Sequence, residues 1–330
     1  MIGIVSHTDD LHAREVTGHL DALGAPWVLV DTGRLPREVS LTSTQTGERW
    51  RAAWVEVGGP SGALSLDTDE LHAMWWRRPQ PFTLHDDVRS GVDRAFAHGE
   101  CAAAVGGLWA CLSARWVNDP DRDEAASRKM WQLKLASEIG LRVPRTCMTN
   151  DPDRARQFVE AEPEGVVFKS FSATPQTWRE TRPVREVDLG LLDSVRYAPV
   201  IFQEMVRGAD IRVTVVGTDV FAAEFRAEES GYAYDFRMDT AHCPTSVHRL
   251  PEPVVEKLQE LMRRLGLWYG AIDLRFTGED YVFLEINPAG QWLFVEYATG
   301  LPISASLAGL LSRLDTPVSP STRRNFLNAR

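Results

Sequence analysis

The feature that most limits what this chain can fold into is a strand, a helix and a second strand within its first 30 residues. An apolar run at Ile2–Val5 precedes a helix near Leu11–Leu23, and a second apolar run follows at Trp27–Val30. Short apolar runs that alternate with helices are typical of a parallel βαβ unit. The sequence therefore predicts an α/β fold that begins with a Rossmann-like N-terminal domain.

The length of 330 residues suits two or three domains. Asn118-Asp119-Pro120 combines a helix N-cap with a proline at the first helical position, so we expect a new domain to begin there with one helix that runs to about Ile139. We expect four parts, namely an α/β domain at 1–117, a central subdomain at 118–199, a C-terminal subdomain at 200–315 and a loose tail at 316–330. Ser172–Arg196 has no clear periodicity and predicts a mobile flap or an insertion.

Composition excludes several function classes. The formal net charge is −10, which argues against nucleic acid as a partner because phosphate binding needs a concentrated Lys/Arg surface. The longest apolar run, Cys101–Leu112, is too short to cross a membrane. The start of the chain lacks a basic stretch followed by an apolar signal core, and four scattered cysteines form neither a zinc pattern nor a disulfide framework. We expect a cytoplasmic protein.

A hairpin near the C-terminal end carries the strongest chemical signal. Strands at Tyr269–Phe276 and Tyr281–Asn287 flank a turn near Gly278, which places Asp273 opposite Glu285. Alternation places Phe283, Glu285 and Asn287 on one face. Facing carboxylates repel unless a cation lies between them, and carboxylate and amide oxygens are the ligands that Mg²⁺ prefers. The alternative is a row of polar residues on a solvated sheet face.

Two lysines and one strand end are candidates for nucleotide binding. Lys169 ends an apolar strand, where an ammonium group favours either an anion partner or a path to the surface. Lys129 lies in the predicted helix after Asn118, where a solvated surface position is the alternative. Gln203-Glu204-Met205 ends a strand that leads into the C-terminal part, which is typical of a hinge whose backbone reads an adenine edge.

Two short motifs place an acid and an arginine on one face of an extended segment. These are Asp210-Ile211-Arg212 and Asp235-Phe236-Arg237. A planar guanidinium suits carboxylate and phosphate groups, so several arginines that face one metal-binding hairpin would form a site for anionic substrates. Surface ion pairs are the alternative for any one motif.

In this order, the lysines, the hinge, the Asp-Ile-Arg motif and the hairpin resemble the ATP-grasp carboxylate ligases. Within that superfamily, "WWRRP", "GLRVPRTCMTNDP", "ADIRVTVVG" and "YVFLEINPAGQWLFVEYATGLPI" resemble the maturases of graspetides, microviridin-type peptides cross-linked through side-chain esters or amides. The resemblance implies an ATP-grasp fold with an N-terminal pre-ATP-grasp domain, and ATP and Mg²⁺ as cofactors. It also implies a homodimer.

The resemblance further implies residue roles. Lys129 and Lys169 would hold phosphates, Gln203, Glu204 and Met205 would form the adenine site with Asp210 nearby, and Asp273, Glu285 and Asn287 would hold Mg²⁺. Arg212 and Arg237 would face the acyl phosphate and its carboxylate, and together with Lys169 they would be the catalytic residues. Separately, we predict that Ser172–Arg196 helps close the site, because its Trp178, Arg179, Arg182 and Arg185 could meet an acidic peptide. One departure is that 170–183, where many relatives have a glycine-rich phosphate cover, contains no glycine.

The implied activity is ADP-forming macrocyclisation of a ribosomal precursor peptide that has a leader and an acidic core with Thr or Ser. Asp or Glu side chains become acyl phosphates, and hydroxyl groups of Thr or Ser or amines of Lys attack them. One alternative is a carboxylate-amine ligase that acts on free amino acids or small metabolites. Another is a nucleotide- and peptide-binding scaffold without turnover.

Overall fold

The computed structural model describes residues 1–47, 49–56, 70–171, 181–226 and 243–317. They form two compact units. The first contains Met1–Asp121 together with the segment from Pro302, and the second contains Arg122–Leu301. The predicted division at 117, 199 and 315 stays a prediction, although a helix at Ile303–Leu314 groups with the first unit instead of with the C-terminal part.

The first unit is built around a parallel sheet, which confirms the predicted βαβ start. Its strands are β1 (Ile2–Val5), β2 (Trp27–Val30), β5 (Ala73–Trp76) and β6 (Arg115–Val117), in the order β2-β1-β5-β6. A separate hairpin joins β3 (Val39–Thr46) to β4 (Arg49–Glu56). The helices are α1 (Leu11–Ala22), α2 (Gly91–Cys111) and α9 (Ile303–Leu314). Helix α9 packs against α1, so the last described helix belongs to the core of the first unit.

The second unit contains two sheets. The first has the order β7-β10-β8-β9 and consists of β7 (Thr146–Thr149), β8 (Val166–Lys169), β9 (Arg182–Pro183) and β10 (Val200–Glu204). Helices α5 (Pro152–Glu160) and α6 (Glu186–Leu189) and a 3₁₀ turn at Leu192–Tyr197 accompany it. Residues 172–180 of the predicted flap lie outside the described residues, whereas 182–197 form regular elements.

The other sheet of the second unit positions the candidate site. Its order is β13-β12-β11-β14-β15, and its strands are β11 (Ala209–Val216), β12 (Asp219–Phe225), β13 (Thr245–Val247), β14 (Tyr269–Phe276) and β15 (Tyr281–Asn287). The helices in this part are α3 (Pro120–Ala126), α4 (Lys129–Glu138), α7 (Glu252–Leu265) and α8 (Leu293–Thr299).

One face of this sheet is apolar and the other carries charge. Ile211 and Val213 of β11 and Ile272 of β14 lie in a core with Leu135 of α4 and Leu258 of α7. Because side chains alternate along a strand, the intervening residues of β11 and β14 point to the opposite face. That face receives the polar residues that the sequence analysis singled out.

The predicted single helix after residue 118 is two helices, so that prediction is wrong. Helix α3 ends at Ala126, and Lys129 is the first residue of α4 instead of a residue well inside a helix. The side chain of Gln132 donates a 2.6 Å hydrogen bond to the carbonyl of Ala126. This carbonyl lies at the C-terminal end of α3, where the next turn of a continuous helix would donate a backbone N–H to it. The Gln132 side chain supplies the hydrogen bond that the carbonyl lacks because the helix is interrupted.

The predicted alternation along β15 is also wrong in one respect. Asp273 pairs with Glu285 as predicted, but Leu274 pairs with Phe283, so Leu284 is an extra residue at a β-bulge. Phe283 consequently lies in the apolar core, while Glu285 and Asn287 stay on the charged face. Because of the extra residue, Phe283 and Glu285 point to opposite faces of the sheet, although they are two residues apart in the strand.

No helix in the described parts of the chain has the length and apolar character needed to cross a bilayer.

Candidate active site

A row of alternating charge crosses the polar face of the five-stranded sheet. In register, Arg212 of β11 lies beside Asp273 of β14, which lies beside Glu285 of β15. Arg212 Nη1 donates to Asp273 Oδ1 at 2.6 Å, and Lys129 Nζ of α4 donates to Glu285 Oε2. All four side chains are largely buried, with exposed fractions from 6% to 18%. Two cations therefore flank the two facing carboxylates and offset their repulsion.

A second ion pair, between Asp210 and Arg275, joins the same two strands two residues away from the pair of Arg212 with Asp273. Arg275 Nη2 lies 3.1 Å from Asp210 Oδ1, and Arg275 Nη1 donates to the carbonyl of Gly208 at 2.9 Å. Asp210 and Arg212 thus each have a partner on β14, which is Arg275 for Asp210 and Asp273 for Arg212. This arrangement fixes Arg212 on Asp273.

The backbone at Gly208 requires glycine. Its φ is +138°, and a Cβ at this position would lie 2.0 Å from the carbonyl oxygen of Phe276. The close approach brings the start of β11 against the end of β14, which sets the register of both ion pairs.

Arg212 has further capacity to bind an anion. Its Nη2 donates to the carbonyl of Gln291 at 3.1 Å, and its guanidinium lies 5.7 Å from the ring centre of Phe294. Its Nε is buried and has no hydrogen-bond partner among the described residues. A buried guanidinium with an unused donor is suited to a carboxylate or phosphate oxygen.

Asn287 completes a set of oxygen donors on the hairpin. Its Nδ2 donates to Glu285 Oε1 at 3.3 Å, which leaves its Oδ1 as a possible ligand. Within the described residues, no group of three or more His, Cys, Asp and Glu side chains could hold a metal by itself. Two carboxylates and one amide oxygen nevertheless fit Mg²⁺, which usually keeps part of its shell for water and phosphate oxygens.

The hinge residues are held by their neighbours. Gln203 is buried, and its Nε2 donates to Thr146 Oγ1 at 3.0 Å. Met205 N–H donates to the carbonyl of Gly165 at 2.9 Å. A Cβ on Gly165 would lie 2.7 Å from Met205 Cε, so this glycine gives the methionine side chain its room.

Arg145 is a residue of the hinge that the sequence analysis missed. It donates from Nε to Glu204 Oε2 at 2.8 Å, and its Nη2 lies 2.5 Å from Glu162 Oε2. The hydrogen bond to Glu204 raises the pKa of the Arg145 guanidinium. Because Arg145 and Glu204 are distant in sequence and the pairing of β7 with β10 brings them together, no local pattern indicates this contact.

The remaining predicted residues differ in how they are placed. Lys169 ends β8 beside Ile201 of β10, within the same sheet as the hinge. Arg182 makes a bidentate pair with Asp188, at 2.8 Å for both bonds, and the Arg185 side chain lies 3.5 Å from the same carboxylate. The Arg182 hydrogen bonds hold the pKa of Asp188 well below its usual range. Arg237, Trp178 and Arg179 lie outside the described residues.

Comparison with known proteins places the chain among similar folds. Residues 1–124 match the family model described as the MvdD pre-ATP grasp domain. The crystal structure of the macrocyclase MdnC bound with the precursor peptide MdnA, from Microcystis aeruginosa MRC, is 30% identical with a TM-score of 0.82. The alignment covers 94% of this chain and 99% of that one. The predicted pre-ATP-grasp domain and ATP-grasp fold are confirmed.

A second solved structure and one curated relative extend the comparison. A RiPP-associated ATP-grasp ligase of Chryseobacterium gregarium, in complex with ADP and a leader and core peptide, is 27% identical with a TM-score of 0.84. The alignment covers 96% of this chain and 99% of the Chryseobacterium chain. A probable alpha-L-glutamate ligase of Hahella chejuensis is 26% identical over 226 residues, which is 63% of this chain and 70% of that protein.

Proposed function

The chain belongs to the graspetide-maturase family of ATP-grasp ligases, and we propose on that premise that it cross-links a ribosomally made precursor peptide. Asp or Glu side chains of the peptide would be activated as acyl phosphates and joined within the same molecule to Thr or Ser hydroxyl groups or Lys amines. The observation that carries the proposal is the direct pairing of Asp273 with Glu285, flanked by Arg212 and Lys129.

ATP and Mg²⁺ are the cofactors of the site. Asp273, Glu285 and Asn287 would hold the metal, and Lys129 and Lys169 would contact phosphates. The hinge at Gln203, Glu204 and Met205 would hold the adenine, with Asp210 fixed nearby by Arg275. When bound, Mg²⁺ supplies positive charge that offsets the charge on the transferring phosphoryl group.

The residues of the chain would then act in two steps. Arg212 holds the substrate carboxylate so that one of its oxygens attacks the γ-phosphorus, and the bond from the γ-phosphorus to ADP breaks. A hydroxyl or amine of the peptide next attacks the acyl carbon. Phosphate departs with the oxygen that came from the carboxylate and takes up the proton of the nucleophile. Arg212 and Arg237 would stabilise the charge that develops on the acyl phosphate.

In this scheme Lys129 would contact Glu285 before the metal binds and a phosphate oxygen afterwards. In the described arrangement it neutralises Glu285, which relieves the repulsion between Glu285 and Asp273. A metal bound to the same carboxylates would replace that charge, and the ammonium group would become available to a phosphate oxygen. The pairing thus offsets the repulsion between the two carboxylates and allows them to stay close together before the metal binds.

The partner assignment rests on the peptide complexes of similar proteins. The Microcystis macrocyclase is bound with a precursor peptide, and the Chryseobacterium ligase is in complex with a leader and a core peptide. We propose a substrate of the same kind, with a leader and an acidic core that contains Thr or Ser. A homodimer and a cytoplasmic location stay predictions.

Mass spectrometry tests the proposal. The protein is incubated with ATP, Mg²⁺ and a precursor peptide of the proposed kind, which has a leader and a short acidic core that contains Thr or Ser. The peptide should lose the mass of one water for each link formed, with equal amounts of ADP and phosphate released. A peptide that stays unchanged while no ADP forms would support the scaffold alternative and contradict the proposal.

A carboxylate-amine ligase is the second candidate, because a curated relative is a probable alpha-L-glutamate ligase. Such an enzyme joins two molecules, so its product is heavier than the acceptor. A mass gain in the presence of free glutamate, with no loss of water from the peptide alone, would favour this candidate.

A further inference from the structure

Gln132 of α4 is a buried amide whose hydrogen bonds all go to backbone groups. It is 1% exposed. Its Nε2 donates to the carbonyls of Ala126 and Ile286 at 2.6 and 2.8 Å, and its Oε1 accepts from the N–H of Ile286 at 3.2 Å. Both hydrogens of the amide nitrogen and its oxygen are therefore in use.

The hydrogen bonds of Gln132 reach the backbone of Ile286 on the outer side of β15. Among the described strands β15 is the last one of its sheet, so none of them pairs with the outward N–H and C=O of Ile286. The Gln132 amide donates to the carbonyl of Ile286 and accepts from its N–H, as the backbone of a neighbouring strand would. The N–H belongs to the peptide bond that follows Glu285, and the carbonyl belongs to the peptide bond that precedes Asn287.

The same helix also carries a charged residue of the site. Lys129 lies three residues before Gln132 on α4, and side chains at this spacing share a helix face. Lys129 Nζ contacts Glu285, whose peptide bond Gln132 holds. One turn of α4 thus positions Lys129 and also, through Gln132, the backbone next to Glu285, the residue that Lys129 contacts.

We propose that Gln132 is a positioning residue that sets the spacing of Glu285 and Asn287 as Mg²⁺ ligands and aligns Lys129 with them. The role rests on the proposed function, because it assumes that these side chains bind Mg²⁺ with a nucleotide. Gln132 acts only through the backbone of Ile286 and through α4, and it touches neither metal nor substrate.

Two substitutions separate the amide from the space that it fills. Gln132→Met keeps a side chain of similar length and removes every hydrogen bond. Gln132→Glu keeps the volume but replaces the donor nitrogen with an oxygen, which would face the carbonyls of Ala126 and Ile286. Gln132→Met should leave both the N–H and the carbonyl of Ile286 unsatisfied, and Gln132→Glu should leave the carbonyl unsatisfied.

The experiment is calorimetric titration of a non-hydrolysable ATP analogue, with saturating Mg²⁺ and again with a chelator. In both variants we expect the Mg²⁺-dependent gain in affinity to fall about 10- to 100-fold, as for loss of a residue that orients metal ligands. The affinity without metal should stay at the wild-type value, because the hinge is unchanged. Thermal unfolding of each variant confirms that it is folded, and Gln132→Glu supplies the result if Gln132→Met does not fold.

Two controls match the substitutions. Gln259→Met removes a half-buried glutamine that donates to the carbonyl of Thr218, and it should behave as wild type. Leu261→Ala weakens the core beneath the same sheet and keeps the Gln132 side chain. If Leu261→Ala loses the Mg²⁺-dependent affinity as much as Gln132→Met does, the role is merely structural and the inference is wrong.

The remaining outcomes distinguish this inference from the proposed function. A folded Gln132→Met protein that keeps the full Mg²⁺-dependent affinity overturns the positioning role and leaves the proposed function intact. A wild-type protein whose affinity for the analogue does not depend on Mg²⁺ overturns both.

Discussion

At the scale of single residues, the site is a balance of buried charge. Asp273 and Glu285 face each other across β14 and β15, and Arg212 and Lys129 lie at the two ends of this row. Removal of one partner from a buried ion pair leaves an uncompensated charge, which costs about 3–5 kcal/mol. The four side chains therefore act as one unit, and a change in any of them affects stability as well as binding.

Asp273→Asn tests the role of this row in turnover. Loss of a carboxylate ligand removes several kcal/mol of charge stabilisation, which corresponds to a fall of about 100-fold or more in the rate of ADP release. Asp280→Asn, on the exposed turn of the same hairpin, is the matched control and should keep the wild-type rate. Equal rates for wild type and Asp273→Asn would contradict the metal assignment.

Gly208→Ala tests whether the entry to β11 sets the geometry. The alanine would need a φ of +138° and would bring its Cβ within 2.0 Å of the Phe276 carbonyl oxygen. Backbone strain of this kind costs about 1–3 kcal/mol, and relief requires that β11 shift relative to β14. Urea unfolding should show the loss.

The control for this change is Gly190→Ala. Gly190 has a φ of −67°, and a Cβ there would lie 3.9 Å from the carbonyl oxygen of Val187, an ordinary contact, so the free energy of unfolding should stay within about 0.5 kcal/mol of wild type. A Gly208→Ala protein as stable as the control would show that the close approach does not constrain the strand.

The pairing of Asp273 with Glu285 was predictable from sequence because a short turn fixes the register of a hairpin. The bulge at Leu284 was not, since a run of apolar residues on both sides gives no sign of which residue is extra. The core position of Phe283 is the consequence that strict alternation misses.

At the scale of elements, the helix break before Lys129 shows what a local pattern cannot reveal. The residues of α3 and α4 are compatible with one continuous helix, and the break is satisfied by Gln132, whose other partner, Ile286, is 154 residues away in sequence. A side-chain bond to so distant a strand has no sequence signature. The prediction that Lys129 lies well inside one long helix was therefore wrong, because Lys129 begins α4.

The hinge depends on a second element contact, between Arg145 before β7 and Glu204 at the end of β10. Arg145→Met would leave Glu204 beside the buried carboxylate of Glu162, and their repulsion would disturb the hinge. We expect the KM for ATP to rise about tenfold with little change in kcat, because the loss acts on binding. Steady-state kinetics of ADP release measures both constants.

Arg142→Met is the control for the hinge variant. Arg142 is half exposed, and its guanidinium lies 3.8 Å from Asp280 on a surface turn. Its KM for ATP should equal the wild-type value. A KM that rises equally in both variants would indicate a general effect of lost positive charge.

Helix α1 of the first unit starts at a buried charge cluster. Burial alone would raise the pKa of Asp10, the N-cap, but contacts with His12, the Arg77 guanidinium and Ser6 hold the pKa of that carboxyl well below its usual range. A group whose pKa is lower in the folded state stabilises the protein above its unfolded pKa of about 4, and this contribution is lost as the pH falls.

Asp10→Asn should therefore change the acid dependence of stability. The variant should be less stable than wild type at neutral pH, and the difference should shrink as the pH falls from about 5 to about 3. Urea midpoints across this range measure the effect. A difference that stays constant with pH would mean that the cluster does not lower the pKa of Asp10.

At the scale of the whole molecule, residues of one site come from distant parts of the chain, from Lys129 at the start of α4 to Asn287 at the end of β15. Their grouping was predictable only through the resemblance to ATP-grasp ligases, since composition and periodicity show single elements and not their assembly. The grouping of α9 with the first unit was not predictable, because the packing of α9 on α1 joins segments about 280 residues apart.

The most direct test of the central claim, that this site transfers the γ-phosphoryl group of ATP to peptide carboxylates, follows the carboxylate oxygen. A precursor peptide of the proposed kind is made with heavy-oxygen-labelled Asp and Glu side chains and incubated with ATP, Mg²⁺ and the protein. The released phosphate is examined by mass spectrometry. The account predicts one labelled oxygen in the phosphate for each link formed. Links that form while the phosphate stays unlabelled would contradict it.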